Sequence, residues 1–122
     1  MNSFEELEVW KIAREIRIFV SKVVTTLPPE EKFRLSDQLI RSSRSIGDNI
    51  SEGFGRYHYQ ENIQFCRHSR GSLNETLNHF ITALDEEYID KNILNGFRVL
   101  FDKELKLING YILYLKKAKE NQ

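Results

Sequence analysis

The chain's only two prolines, Pro28 and Pro29, stand side by side, and on both sides of them apolar residues recur at intervals of three and four. Such spacing marks amphipathic helices. Proline ends one helix and suits the first turn of the next. Val9, Ile12, Ile16, Phe19, Val23 and Leu27 precede the pair, and Leu35, Leu39, Ile46 and Ile50 follow it, with Ser42 and Ser43 filling the gap. A third segment places Phe65, Leu73, Leu77, Phe80 and Leu84 on one face, and a fourth places Phe97, Phe101, Leu105, Ile108, Ile112 and Leu115. Breaks fall at "EGFGRYHY", where Gly53 and Gly55 interrupt the periodicity and supply a turn, and near "DEEYIDKNI", where Asp90 is suited to cap the last helix. No strand pattern, low-complexity tract or fixed-period repeat competes. The expected fold is all-α, an antiparallel up-and-down four-helix bundle in a single domain over 1–120, with helices over 4–27, 30–54, 59–86 and 90–119.

A length of 122 residues with 40% apolar and 11% aromatic side chains is enough to close one core without staples. Cys66 is the only cysteine, so an intramolecular disulfide and a cysteine-rich zinc site are both ruled out, and a buried small hydrophobe is expected. The acidic start, "MNSFEELEVWK", lacks the basic-then-apolar order of a signal peptide. No apolar run approaches the roughly 20 residues that span a bilayer. We therefore expect a soluble protein of the reducing cytoplasm, without a membrane partner.

The fourth segment carries a second apolar stripe, Leu94, Leu100, Leu107, Tyr111 and Tyr114, and Trp10, Phe19 and Val20 widen the first. A helix at a bundle corner needs only one apolar sector. The surplus leads us to expect a homo-oligomer whose interface uses the first and fourth helices.

Charge is balanced, 18 Lys+Arg against 18 Asp+Glu, so no global basic footprint points to nucleic acid. Local imbalance exists. Arg41, Arg44, Arg56, Arg67 and Arg70 face only Asp48, Glu52 and Glu61 within residues 41–70, and Asp85, Glu86, Glu87 and Asp90 make the next turn acidic. Two readings of these arginines compete. Asp37 with Arg41 and Arg44 with Asp48 are four apart and suited to surface pairs, whereas an arginine ladder suits phosphate oxygens. Tyr57, His58 and Tyr59 beside Arg56 offer stacking groups for an unpaired base, or alternatively a plug for the turn.

Catalytic patterns are missing. A di-iron bundle needs Glu-x-x-His on two helices. Here only Glu75 and His79 approach it, four apart and without a second pair, as an exposed ion pair would be. Cys66 and His68 point about 200° apart on a helix. No arginine stands five or six residues before a histidine, and Ser69 and Ser72 lack an oriented base and acid. Gly53-x-Gly55 is too short for a phosphate cradle. A non-enzyme without cofactor or metal is expected.

The run "PPEEKFRLSDQLIRSSRSIGDNISEGFGR", with "FCRHSRGSLNETL" after it, resembles the four-helix-bundle family associated with intervening sequences in bacterial 23S rRNA genes, which also carries a ribosomal-protein label. Its most specific parts are the Pro-x-x-Glu entry with Phe33 and Leu35, the "SIGDNISEGFGR" exit and the Arg70-Gly71-Ser72 core. The resemblance implies a four-helix protomer that assembles into a barrel-like homopentamer. It extends to accessory proteins of diversity-generating retroelements, which bind a reverse transcriptase and nucleic acid. Family positions Asn49, Glu52, Gly53, Gly55, Arg56, Arg70, Gly71 and Ser72 are present and are expected to be architectural.

Physical reasoning gives some of them tasks. Gly71 inside a helix costs about 1 kcal/mol against alanine, which suggests close approach by the second helix. Glu52 is expected to pair with Arg67 or Arg70 across the second and third helices. For function, the expectation is a non-catalytic oligomeric binder of structured RNA or a nucleoprotein. Arg41, Arg44, Arg56, Arg67 and Arg70 would touch phosphate, and Tyr57 and Tyr59 would stack. The alternative is a scaffold that binds protein partners and has no nucleic-acid role.

Overall fold

The computed structural model describes residues 2–122. Four helices form, α1 (Glu8–Val24), α2 (Leu35–Phe54), α3 (Tyr59–Asp85) and α4 (Lys91–Glu120), with single 3-10 turns at Phe4–Glu6 and Pro29–Glu31. At the backbone level α1 packs on α2 and α4, and α3 packs on α2 and α4, while the two diagonals make no contact among the described residues. The contacts run antiparallel throughout. Ser42 meets Thr76 while Ile46 meets Ser69 across α2 and α3, and Phe97 stacks on Phe80 while Asn109 meets Arg70 across α3 and α4. The fold is an all-α antiparallel four-helix bundle.

Local chemistry explains where helices stop. Leu7 is extended (φ −72°, ψ 127°), so the amino-terminal turn, capped by Ser3, stays separate from α1. At the other end of α1 the Thr25 and Thr26 hydroxyls donate back to the carbonyls of Lys22 and Val23, both at 2.7 Å. The first helix is thus shorter than the expected 4–27. Pro28 and Pro29 start a 3-10 turn only, and Arg34 (φ −123°, ψ −106°) delays α2 to Leu35 instead of residue 30. Asp90 caps α4 as expected, accepting the Ile93 N–H at 2.9 Å. Neither Gly53 nor Gly55 has positive φ. That conformation falls to Glu87 (φ 63°) after α3, where the Tyr88 N–H reaches the Ala83 carbonyl at 2.9 Å in a Schellman arrangement.

The core runs through Ile16, Leu39, Ile46, Ile50, Ile63, Leu73, Phe80, Phe97 and Ile108, all essentially without exposure. Phe80 and Phe97 stack at 4.3 Å between centroids and Phe19 tilts against both. Cys66 is buried, and burial pushes its thiol up to about 12. Val20 is also fully buried, so it belongs to the core and not to a free face of α1. On α4 the second stripe divides. Leu94 is buried, Leu100, Leu107 and Tyr111 pack half-buried on the core, and Tyr114 is exposed.

Hydroxyls join α2 to α3. Ser69 Oγ donates to the Ile46 carbonyl at 2.8 Å, Ser45 and Ser72 hydroxyls meet at 2.8 Å, and Thr76 Oγ1 lies 2.9 Å from Ser42 Oγ. Small side chains allow the helices to approach, and each buried hydroxyl finds a partner. Asn49 Nδ2 donates to the Ser45 carbonyl and hydroxyl, at 2.8 and 2.9 Å, which ties it to the same ladder. Ser72 and Asn49 therefore have architectural contacts.

Close glycine packing occurs at a different position from the one expected. A Cβ at Gly71 would meet nothing within 4 Å, whereas one at Gly53 would fall 2.6 Å from Asn62 Oδ1 and 2.9 Å from Phe65 Cβ. The first two turns of α3 thus seat directly on the end of α2 at Gly53. Gly55 is the α2 C-cap, its N–H reaching the carbonyls of Ser51 and Glu52.

Candidate nucleic-acid interface

Trp10, Arg14 and Arg17 stand at steps of four and three on α1 and so share one face. Antiparallel α2 presents Ser43, Arg44, Gly47 and Asp48 to that face. Where a Cβ on Gly47 would sit, Ala13 Cβ is 3.5 Å and the Trp10 indole nitrogen 3.6 Å away. Small residues along the seam leave a groove of about 260 Å³ lined by Trp10, Ala13, Arg14, Arg17 and the four α2 residues. It continues into a second hollow of about 220 Å³ that shares Arg17, Ser43 and Arg44.

The electrostatics of this groove differ from those at Arg41 and Arg56, which are ion-paired. Among the described residues none of Arg14, Arg17 and Arg44 forms an ion pair. The expected Arg44–Asp48 pair does not form, leaving Asp48 as the one acid in the lining. Arg14 lies 6.0 Å from the Trp10 ring centroid, and Phe4 packs edge-on against that ring at 5.1 Å. Three guanidinium groups thus share a concave surface with a half-buried indole held in place.

The remaining arginines are dispersed. Arg41 is 80% exposed and pairs with Asp37 at 3.9 Å. Arg56 pairs with Glu52 at 2.9 Å and Glu61 at 3.6 Å, with its guanidinium 4.8 Å from the Phe65 centroid. Glu52 therefore pairs with Arg56, one turn on and just past the end of α2, and not with Arg67 or Arg70 as expected. Arg70 donates to Asn109 Oδ1 on α4 at 2.8 Å, facing away from the α1 side of the bundle. Arg67 is exposed on α3 without an ion pair among the described residues. Tyr57 is 88% exposed with His58 edge-on to it at 4.9 Å, while Tyr59 packs on the core. Of the seven candidate contact residues, only Arg44 falls in the groove.

Arg14 and Arg17 escape a reading of the sequence that weighs α1 by its apolar residues alone. The Trp10-Arg14-Arg17 spacing is the signal that could have found them. Glu75 and His79 do pair, at 3.2 Å. Among the described residues no three His, Cys, Asp or Glu side chains converge as metal ligands, and no helix is long and apolar enough to cross a membrane.

Acidic side chains gather at one end of the bundle, where Lys32, Arg34 and Lys91 also stand. The α1–α2 turn, with Glu30 and Glu31, and the α3–α4 turn, with Asp85, Glu86, Glu87 and Asp90, lie at the same end. Desolvation, then the Glu31, Glu86 and Glu30 carboxylates, hold the Tyr88 phenol above its ordinary value there.

The structure is an antiparallel four-helix bundle whose α1–α2 seam carries a basic groove. The family model of the 23S rRNA-intervening sequence protein matches residues 5–110, and the chain belongs to that family. A crystal structure from Bacteroides thetaiotaomicron VPI-5482, of a protein with unknown function from the S23 ribosomal protein family, is similar with a TM-score of 0.78. It is 25% identical, over 85% of this chain and 97% of that one. No curated protein matches. Neither match indicates a catalytic role.

Proposed function

We propose that this protein is a non-catalytic, self-associating binder of structured RNA whose phosphate contacts lie in the α1–α2 groove. The observation that carries this reading is the convergence of Arg14, Arg17 and Arg44, none ion-paired among the described residues, beside a half-buried tryptophan in a protein of zero net charge. Planar guanidinium groups bind phosphate oxygens in pairs, and the Trp10 face suits a splayed base. The family's association with 23S rRNA intervening sequences agrees with an RNA ligand. Assembly into a homopentamer, as the family resemblance implies, would repeat the groove around a ring. Arg67 and Tyr57 are secondary contacts in this reading, while Arg41, Arg56 and Arg70 are already engaged by side chains of the protein itself.

Fluorescence anisotropy of a labelled RNA hairpin, titrated with the purified protein at low and near-physiological salt, tests it. Binding should weaken steeply with salt. Each of Arg14→Ala, Arg17→Ala and Arg44→Ala should lower the slope of log K against log salt by about 1, while Arg41→Ala leaves it unchanged. Absence of binding at micromolar protein in both salts would overturn the RNA reading and leave a protein-interaction scaffold.

A further inference from the structure

Phe33 is 84% exposed in the turn between the Pro29–Glu31 segment and α2. Its neighbours in sequence are both basic. Lys32 Nζ lies 5.3 Å from the Phe33 ring centroid, and neither Lys32 nor Arg34 forms an ion pair among the described residues. A phenyl ring thus stands in water between two cations that form no ion pair among the described residues. Single exposed hydrophobes are ordinary, so the ring alone decides nothing.

On the neighbouring flank, between the end of α1 and the start of α4, Phe19, Lys22, Val23, Thr26 and Ile93 line a groove of about 290 Å³. Gly96 packs nearby, where a Cβ would lie 3.5 Å from the Phe19 ring. An apolar cavity of about 150 Å³ already holds a benzene ring, so this one has room for a phenyl. Beside Ile93 stands the carboxylate of Asp90, bound to the Ile93 N–H, in a turn that also carries Asp85, Glu86 and Glu87. An acidic turn next to the groove is complementary to the Lys32-Phe33-Arg34 knob.

Height matters as well. Thr26 and Ile93 mark the same end of the bundle as the α1–α2 turn that carries Phe33. Rotation about an axis parallel to the bundle keeps every residue at its own height, so the knob of one copy can meet the groove of the next. Two different patches that meet in this way make a head-to-tail contact, which closes into a ring when the rotation allows.

We infer that Phe33 of one copy docks into the Phe19–Ile93 groove of a second copy, with Lys32 and Arg34 facing its acidic α3–α4 turn. The inference rests on the self-association part of the proposed function and assigns its interface. Both partners are this chain, and the contact is heterologous.

The test is light scattering after size exclusion on the full chain and two exposed-site variants, Phe33→Asp and Thr26→Arg, with circular dichroism to confirm helicity. The wild type should run as a closed oligomer and each variant as a monomer. An equimolar mixture of the two variants should then form a dimer and nothing larger, because one knob and one groove remain intact between them. A Phe33→Asp protein that keeps the wild-type mass would overturn the interface while self-association stands. Wild type that is monomeric at high concentration would overturn both. A mixture that stays monomeric would overturn the knob-in-groove pairing.

Discussion

Glu104 lies fully buried on α4, between Phe101 and Ile108 in the core stripe, and neither carboxyl oxygen has a hydrogen-bond partner. Burial alone raises its pKa from 4.5 to about 9. The folded protein therefore holds this proton across neutral pH, whereas the unfolded chain releases it above 4.5. Between those values the unfolded state binds fewer protons, so stability must fall as pH rises. At 1.36 kcal/mol per unit, the two and a half units up to pH 7 amount to about 3 kcal/mol, and from pH 5 to pH 8 the loss is about 4 kcal/mol. Leucine at this position removes the titration and the unpaired acid at similar volume. Glu104→Leu should thus be more stable than wild type by roughly 3 kcal/mol at pH 7, with an advantage that grows with pH. Urea unfolding followed by circular dichroism at pH 5 and pH 8, at one protein concentration, reads this directly. Glu104→Gln should share the flatter pH dependence while keeping a buried polar group. Subtracting the Glu104→Gln stability from that of wild type cancels whatever the two proteins share, so a difference that does not change with pH would refute the buried neutral acid.

Two glycines in the expected motif should respond in opposite directions. Gly53→Ala forces a Cβ to within 3 Å of Asn62 and Phe65 and should destabilise by about 1–3 kcal/mol, while Gly71→Ala meets open space and should stabilise by up to about 1 kcal/mol. Thermal melts of both variants check the pair, and equal shifts would contradict the packing described. Glu87→Gly relieves a side chain held at φ 63° in the Schellman turn and should raise Tm, with a gain of about 1 kcal/mol. A lower Tm would show that the Glu87 side chain has a role of its own.

Helix number, order and handoff points were legible because apolar spacing and the proline pair are local properties. Boundaries were less so. Four to five residues at the start of α2 depend on the backbone at Arg34, which no residue type announces. The serines of "RSSRS" showed where α2 could approach a neighbour, and the Ser45–Ser72 and Ser69–Ile46 bonds occupy that surface. The α4 stripe departs from its expected course at one step. Its core line passes from Phe101 through Glu104 to Ile108, leaving Leu105 half-buried. A charge at a three-residue step reads as solvent face in a sequence, and only packing reveals otherwise. The groove was hidden for a related reason, since it exists only once Trp10, Arg14 and Arg17 are set against Ser43, Arg44 and Gly47.

Zero net charge and phosphate binding are compatible when opposite charges are further apart than salt allows them to communicate. Arg14 stands ten residues before the end of α1 at Val24, about 15 Å along the axis at 1.5 Å per residue. At physiological ionic strength the Debye length is about 8 Å. The acidic end around Glu86 is thus largely screened from the lower groove, whose field is set by three arginines against Asp48. At about 0.01 M salt the Debye length reaches about 30 Å, and the acidic end then opposes an approaching phosphate. Reversing one charge there, Glu86→Lys, made in the Phe33→Asp background so that the inter-copy contact is already removed, should leave RNA affinity near that of Phe33→Asp alone at physiological salt and raise it at low salt. The ratio of the two anisotropy titrations is the measure. A gain that persists at physiological salt would mean that position 86 lies within a Debye length of the bound RNA, and the ligand would then span the acidic end as well as the groove.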